Sequence, residues 1–317
     1  MNSKLKKLLY SADTRTEEFY LDVAKIKVKL SLPIKCSEYL RAQYKNILPS
    51  AKFIEHSNSP NICVKVSEGF KGMVRFSDEN NVLINSTGNL NDIVMDSILT
   101  ISKLVERHLN KKQIFSMHAS GICTDNKCIL FIGPSGSGKT TTAAKSCITN
   151  NKIAFIDNRL LLKDQQVVAA TEIFNISQGS LIYEFGYLTH KTKNDEQASK
   201  KIKLDSALLG IAQNKNYPLD IKAIIFINKL PVKFKVIKSD NINTILPQLH
   251  DSLLRYSDTF PSFILGAEKV YPQIFDIRLR QSRLNFTFKL ARAVELFIIE
   301  GSLEDISEFS TKMLLRK

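Results

Sequence analysis

The residues with the clearest chemistry form one short segment, Gly133-Pro134-Ser135-Gly136-Ser137-Gly138-Lys139-Thr140. Its spacing matches the phosphate-binding (Walker A) pattern G-x-x-x-x-G-K-[ST] at every constrained position. Glycines let the backbone curl so that successive N–H groups point at phosphate oxygens, and a following helix adds the positive end of its dipole. In such a loop the lysine reaches the β- and γ-phosphates, and the hydroxyl after it holds Mg²⁺. The expected phosphate-binding residues are Gly133, Ser135, Gly136, Ser137, Gly138, Lys139, Thr140 and Thr141.

Phosphoryl transfer also needs an acidic residue that holds Mg²⁺ or accepts a proton. Asp157 is the best candidate, because it follows the apolar strand predicted at 152–156, and ligands gather at strand ends in α/β sheets. Asn158 could add a neutral metal ligand. His118 could hydrogen-bond a phosphoryl oxygen or carry a proton. The structural alternatives are a turn aspartate after a strand and an ordinary hydrogen-bonded histidine.

The flanks of the loop predict the elements that position these residues. Cys128–Ile132 is short, apolar and β-prone, and Thr141–Ile148 can form a helix. The preceding strand, at 114–122, is joined to Cys128–Ile132 by a short turn at 124–127. Strands joined in this way run antiparallel. The sequence therefore predicts a hairpin before the loop, instead of the helical crossover of a doubly wound sheet.

Before these elements lies a β-rich part. Lysines alternate with Ile26, Val28 and Leu30, as in a half-buried strand, and strand candidates at 62–66, 73–76 and 82–85 suggest a small antiparallel sheet. Residues 91–109 repeat apolar side chains at helical spacing. A polar connector follows, so we place a boundary that gives a β-rich module of residues 1–112 and a nucleotide-binding domain of residues 113–317.

The rest of the chain supplies further strands and helices. Residues 221–227 form an apolar run typical of a strand buried on both faces. Residues 186–202 are strongly polar and predict either a mobile flap near the ligand or a plain exposed loop. The other predictions are an edge strand at 232–237 and helices at 243–256, 264–270, 291–299 and 303–315, with Gly301 as a break.

Composition predicts a cytoplasmic protein. The 317 residues contain no run approaching the ~18 apolar residues of a membrane helix, and the N-terminus lacks the apolar core of a signal peptide. The five scattered cysteines favour a reduced chain without structural disulfides. The net charge of +14 is spread along the chain, with 18 Lys or Arg against 12 Asp or Glu in residues 1–112 and 27 against 19 afterwards. Without a basic tail or base-stacking aromatics, we do not expect nucleic-acid binding.

Three segments together resemble the C-terminal domain of HPr kinase/phosphorylase. They are Met117–Ile122, Cys128–Thr140 and Phe155–Asn158, which are similar to that family's His-Ala or His-Gly strand, its G-x-S-G-x-G-K-[ST] loop and its strand ending in Asp-Asp. The resemblance covers roughly residues 114–163. It implies an α/β fold with a P-loop nucleotide-binding core and a mixed sheet, of a type shared with phosphoenolpyruvate carboxykinase, preceded by the small β-rich module.

The resemblance implies an ATP- and Mg²⁺-dependent kinase that transfers the γ-phosphoryl group to a hydroxyl acceptor. Lys139 and Thr140 match the loop's Lys and Ser/Thr, His118 matches the strand histidine, and Asp157 matches one of the paired acids. If the alignment with that family carries a one-residue insertion near 150–151, Asp157 matches the first acid of the pair. Without the insertion, Asp157 matches the second acid. Asn158 can coordinate Mg²⁺ but cannot accept a proton. A second interpretation is therefore a catalytically weak nucleotide-binding regulator.

The acceptor is open to a protein serine, a peptide or a small molecule. We do not find the Pro/Gly-Arg-rich segment of true HPr kinases, which suggests another substrate. A decarboxylating carboxykinase would need further metal-binding His or Lys residues that we also do not find. The oligomeric state is open, a homo-oligomer being one option. Candidate contacts to an acidic acceptor are Arg159, Arg255, Arg278, Arg280 and the lysines of 186–202.

Overall fold

The chain is a mixed α/β protein whose main strands form two large sheets. It divides into two compact units, one of residues 1–108 with 261–274 and one of residues 109–260 with 275–317. The computed structural model describes residues 15–68, 73–86, 89–171, 174–177, 201–204, 210–214, 216–229, 233–239, 242–255, 263–264, 269–270 and 277–316.

The first unit contains a six-stranded sheet. Its elements are β1 (Thr16–Val23), β2 (Ile26–Pro33), α1 (Ser37–Gln43), β3 (Ala51–Ile54), β4 (Ile62–Glu68), β5 (Met73–Phe76), β6 (Asn81–Ser86) and α2 (Leu90–Lys111). The strand order is β3-β1-β2-β4-β6-β5. β2, β4 and β6 run parallel, whereas β1, β3 and β5 run antiparallel to their neighbours. The small antiparallel sheet predicted here is therefore wrong: β6 lies between β4 and β5, because turn signals mark strand ends but not strand partners.

Helix α2 confirms the helix predicted at 91–109. The apolar residues that predicted it are all buried, and they are Ile93, Val94, Ile98, Ile101, Leu104, Val105 and Leu109. Burial of Ile26, Val28 and Leu30 in β2 likewise confirms the alternating strand. None of the described helices is both long and apolar enough to cross a membrane.

The second unit is built on an eight-stranded sheet. The strands after α2 are β7 (Phe115–His118), β8 (Ser120–Thr124), β9 (Lys127–Ile132), β10 (Ala154–Lys163), β11 (Gln166–Thr171), β12 (Phe174–Ser177), β13 (Lys201–Leu204), β14 (Leu219–Lys229), β15 (Lys235–Lys238), β16 (Phe263–Ile264), β17 (Lys269–Val270) and β18 (Glu295–Gly301). Of these, β16 and β17 lie in residues 261–274, which belong to the first unit. The sheet order is β11-β10-β8-β9-β14-β18-β15, with β7 also paired to β10. Pairing of β11 with β14 closes five of these strands into a ring.

Helices cover this sheet in two groups. They are α3 (Lys139–Thr149), α4 (Ile242–Leu254), α5 (Ile277–Ala293) and α6 (Leu303–Leu315). α4 and α5 share one apolar core with Ile224 of β14, and α3 and α6 share another with Ile225 and Ile227. β14 therefore contributes to both cores, which confirms the predicted central strand. β15 ends the sheet path, which confirms an edge strand there.

Several predicted elements need correction. The helix predicted at 291–299 is wrong, because α5 ends at Ala293 and β18 begins at Glu295. A short apolar run does not distinguish a helix from a buried strand, and here the run pairs in parallel with β14. Where residues 264–270 are described, they belong to the two-residue strands β16 and β17 and not to a helix. The helices predicted at 243–256 and 303–315 are confirmed as α4 and α6, and most of the predicted polar flap, 186–200, lies outside the described residues.

Candidate functional site

The Gly-rich segment connects β9 to α3, so the strand, loop and helix predicted around it are confirmed. β8 and β9 form the predicted hairpin, with Cys123 opposite Cys128. β14 runs parallel to β9 on its other side. The loop therefore leaves the C-terminal end of β9, one of the three parallel strands β9, β14 and β18, and ligands of α/β proteins gather at the C-terminal ends of parallel strands.

The backbone of the loop is sharply curved at three glycines. Gly133, Gly136 and Gly138 have φ angles of +148°, +86° and +92°, and Gly138 precedes the first residue of α3. Turns that contain such left-handed residues can direct successive N–H groups toward one concave side, which suits an anion. The start of α3 adds the positive end of the helix dipole.

Lys139 lies against this loop. Its side chain is largely buried, and its Nζ donates to the carbonyl oxygens of Gly133 (2.8 Å) and Pro134 (2.9 Å). The ammonium group is thus held beside the loop, where it can neutralise an anion that the loop binds.

Thr140 and Asp157 meet at the start of α3, although they are 17 residues apart in the chain. Thr140 Oγ1 donates to Asp157 Oδ1 at 3.2 Å. Ser120 completes the cluster: its hydroxyl donates to the same Asp157 oxygen and lies 3.1 Å from Thr140 Oγ1. Both Ser120 and Asp157 are at most 2% exposed. We call Ser120, Thr140 and Asp157 the oxygen cluster.

The sequence patterns did not identify Ser120. Its only signal is the hairpin register, in which Ser120 lies opposite Phe131, two residues before Gly133. Pairing therefore brings Ser120 beside the loop, whereas no motif spacing does.

Asp157 does not end a strand, contrary to the prediction. β10 continues to Lys163, and its pairing with β11 shifts between Asp157 and Leu160 as in a β-bulge. Asn158 lies in this bulge with a φ angle of +70°. Asn adopts a left-handed backbone more readily than most residues, so the Asp-Asn pair that reads as a turn in sequence forms a bulge in the structure.

His118 lies at the end of β7, beside the same bulge. Its Nδ1 is 3.3 Å from the backbone oxygen of Asn158, which also accepts from Ala119 N at 3.3 Å. The structure therefore places the His118 side chain beside the backbone oxygen of Asn158. Thr141, the last residue of the predicted phosphate-binding set, is buried in the first turn of α3.

Arg159 is placed differently from the acceptor contact that the sequence suggested. Its side chain is fully buried, and Nε donates to Ser116 Oγ at 3.0 Å. A guanidinium enclosed in this way is not available to an outside acceptor, so that prediction is wrong. Arg255, Arg278 and Arg280 are exposed.

The oxygen cluster has the chemistry of a magnesium site. It offers one carboxylate and two hydroxyls, and Mg²⁺ is commonly held by one or two carboxylates together with substrate phosphates. Among the described residues, no group of three His, Cys, Asp or Glu side chains is arranged to hold a metal.

Neither a scan against protein-family models nor a search among curated proteins finds a match for this chain.

Proposed function

We propose that this chain is an ATP- and Mg²⁺-dependent kinase with a P-loop core, of the kind implied by its resemblance to HPr kinase/phosphorylase. The observation that carries the proposal is the 3.2 Å contact between Thr140 and Asp157. The loop pattern predicts a metal-binding hydroxyl at Thr140, and separate reasoning predicts a metal-binding acid at Asp157. The fold joins the two, which a chance match to the loop pattern would not require.

Each residue has a role in this reaction. The backbone N–H groups of Gly136–Thr140 would cradle the β-phosphate, and Lys139 would move from the carbonyls of Gly133 and Pro134 onto the phosphates. Thr140 and Asp157 would hold Mg²⁺, which when bound neutralises phosphate charge. Where Asp157 is not a ligand, its carboxylate would accept the proton of the acceptor hydroxyl. His118 would hydrogen-bond a phosphoryl oxygen or carry a proton.

A second candidate is a nucleotide-binding regulator with weak transfer. In either alignment with the resembled family one carboxylate of the acid pair is missing, and where Asp157 matches the first acid, position 158 carries an amide and has a left-handed backbone. Asn suits that backbone as well as Asp does, but it cannot accept a proton. One carboxylate would have to serve as both metal ligand and base, and this favours slow turnover.

The test is phosphoryl transfer from γ-labelled ATP with Mg²⁺ and cell extract. We expect wild type to label an acceptor that is labelled neither with Lys139→Ala nor with extract alone. Lys145→Ala is the matched control, because Lys145 lies on the same helix but pairs with Glu304 on α6. It should keep wild-type labelling, since a partly exposed ion pair contributes only about 0–1 kcal/mol to stability.

Asp157→Asn separates binding from chemistry. We expect transfer to fall by orders of magnitude while nucleotide affinity falls much less, because the loop and Lys139 are retained. Unchanged turnover would remove Asp157 from the mechanism. Tight ATP binding without transfer to any acceptor would favour the regulator over the kinase.

A further inference from the structure

Ser120 stands out among the buried hydroxyls because it joins three elements of the second unit. It begins β8, and its oxygen contacts both Thr140 at the start of α3 and Asp157 in β10. β8 is paired on both sides, with β9 through Ser120 and Phe131 and with β10 through Gly121 and Ile156. The backbone of β8, from which the Ser120 side chain extends, is therefore held on both sides.

Asp157, in contrast, lies at the edge of a bulge: it is paired with Thr171 of β11, and regular pairing is interrupted directly after it. A bulge re-aims side chains and holds the local backbone less firmly than a regular ladder. Both hydroxyls donate to the same oxygen, Oδ1, and this sets the orientation of the carboxylate. Without Ser120, a single 3.2 Å bond from Thr140 would remain of these two.

We propose that Ser120 is a positioning residue for the metal site, holding the Asp157 carboxylate against Thr140 so that the two can bind one divalent cation. The inference rests on the proposed function in that it takes the oxygen cluster as the cation site of a bound nucleotide. Groups that hydrogen-bond a ligating carboxylate orient it, and their loss typically lowers metal affinity about 10- to 100-fold.

The probe is Mn²⁺, which accepts the same carboxylate and hydroxyl oxygens as Mg²⁺ and is detected by its paramagnetic resonance. Mn²⁺ binding to the full chain is measured with a saturating, non-hydrolysable ATP analogue. Affinity for the analogue in EDTA is measured separately. We expect Ser120→Ala to weaken Mn²⁺ binding about 10- to 100-fold while metal-free analogue affinity changes less than about twofold.

Two further variants separate positioning from general stability. Ser120→Thr keeps the hydroxyl and should restore most of the Mn²⁺ affinity. Ser116→Ala removes another buried hydroxyl of this sheet, one bonded to Arg159 outside the cluster, and should leave Mn²⁺ affinity at the wild-type value. Thermal unfolding without ligand shows whether each variant is folded at the assay temperature. If Ser120→Ala is not, Ser120→Cys replaces it, because a thiol is of similar size but a much weaker donor, and the same loss of Mn²⁺ affinity is expected.

The outcomes distinguish this inference from the kinase proposal. Wild-type Mn²⁺ affinity in Ser120→Ala, or equal losses in Ser120→Ala and Ser116→Ala, would overturn the positioning role. If wild type binds Mn²⁺ with the analogue but transfers no phosphate, the kinase proposal fails. The role of Ser120 is then decided by the Mn²⁺ affinities of the variants alone. A wild-type chain that binds no Mn²⁺ with the analogue would overturn the site and this inference together.

Discussion

Asp157 and Asn158 are adjacent in the chain, but Asp157 contributes its side-chain carboxylate to the candidate site, whereas Asn158 contributes its backbone. Asp157 presents its carboxylate to two hydroxyls and accepts at its backbone oxygen from Thr171 Oγ1 at 2.8 Å. Asn158 provides the left-handed turn of the bulge and a backbone oxygen for Ala119 and His118. A carboxylate at most 2% exposed requires hydrogen bonds. The oxygen cluster therefore satisfies Asp157 in the folded protein as well as offering it to a cation.

The geometry of the loop can be tested by adding one methyl group, as alanine, at Gly133 or at Gly136. Both have positive φ angles, so alanine at either position is strained by about 1–3 kcal/mol. At Gly136 a Cβ would meet no atom within 4 Å, whereas at Gly133 it would lie 2.8 Å from Ser137 Oγ and 3.0 Å from the Ile227 carbonyl oxygen. We expect Gly133→Ala to cost a further ~1–3 kcal/mol for this overpacking.

The measurement is the free energy of unfolding in urea for wild type and both variants. Gly136→Ala is the matched control, because it carries the backbone strain without the collision. Equal losses in the two variants would show that Gly133 is not closely packed against Ser137 and β14.

At the scale of elements, local patterns predicted most of what surrounds the loop. The hairpin of β8 and β9, the helix α3 and the central strand β14 each have a signal within their own residues: a short turn, a motif or an apolar run. β10 could not be predicted in full, since Asp157-Asn158 is equally typical of a turn and of a bulge. β18 could not either, because its identity as a strand depends on pairing with β14.

The residues of the candidate site also divide into those that the sequence predicts and those that it does not. Lys139 and Thr140 follow from motif spacing, and Asp157 follows from its position after an apolar run. Ser120 and the burial of Arg159 depend on strand register and on closure of the sheet, which are contacts between distant parts of the chain. Sequence spacing alone carries no information about those contacts.

Helix α6 supports α3, and its N-terminal cap can be tested. Ser307 Oγ of α6 lies 2.8 Å from Ser146 Oγ of α3, and Glu304 pairs with Lys145. Ser302 caps α6 by accepting from the backbone N–H of Asp305 at 3.2 Å. Ser302→Ala should therefore lower the free energy of unfolding by about 1 kcal/mol, the usual value of such a cap.

Ser302→Thr is the control, because threonine keeps the hydroxyl that accepts from the Asp305 N–H and donates to the Asp305 carboxylate. It should unfold close to the urea concentration of wild type. An alanine variant as stable as the threonine variant would mean that α6 does not depend on this cap.

The cysteines lie in both units, so their reactivity measures the unfolding of each unit separately. All five are free thiols, with Cys36 in the first unit and Cys123, Cys128 and Cys147 in the second, all four buried. Burial raises the pKa of Cys36 to about 11 and that of Cys123 to about 12, and it also raises the pKa values of Cys128 and Cys147. The thiolate is the reactive form, so these four should resist alkylation in the folded protein.

Cysteine alkylation is measured in increasing urea at pH 8, and peptide mass spectrometry identifies which cysteines have reacted. Half-buried Cys63 should react first. Cys123 and Cys128 lie in one core of the second unit and Cys147 lies in the other, and β14 contributes to both cores, so the three thiols should become reactive together when β14 unfolds. Unfolding also lowers their raised pKa values to the ordinary thiol range, so unfolded chains release protons above about pH 9. Stability must therefore fall as pH rises, and the shared transition should move to lower urea at pH 10. Cys147→Ala should show a smaller shift between the two pH values. Reaction of Cys123 in native protein as fast as Cys63, or three separate transitions, would contradict a single cooperative second unit.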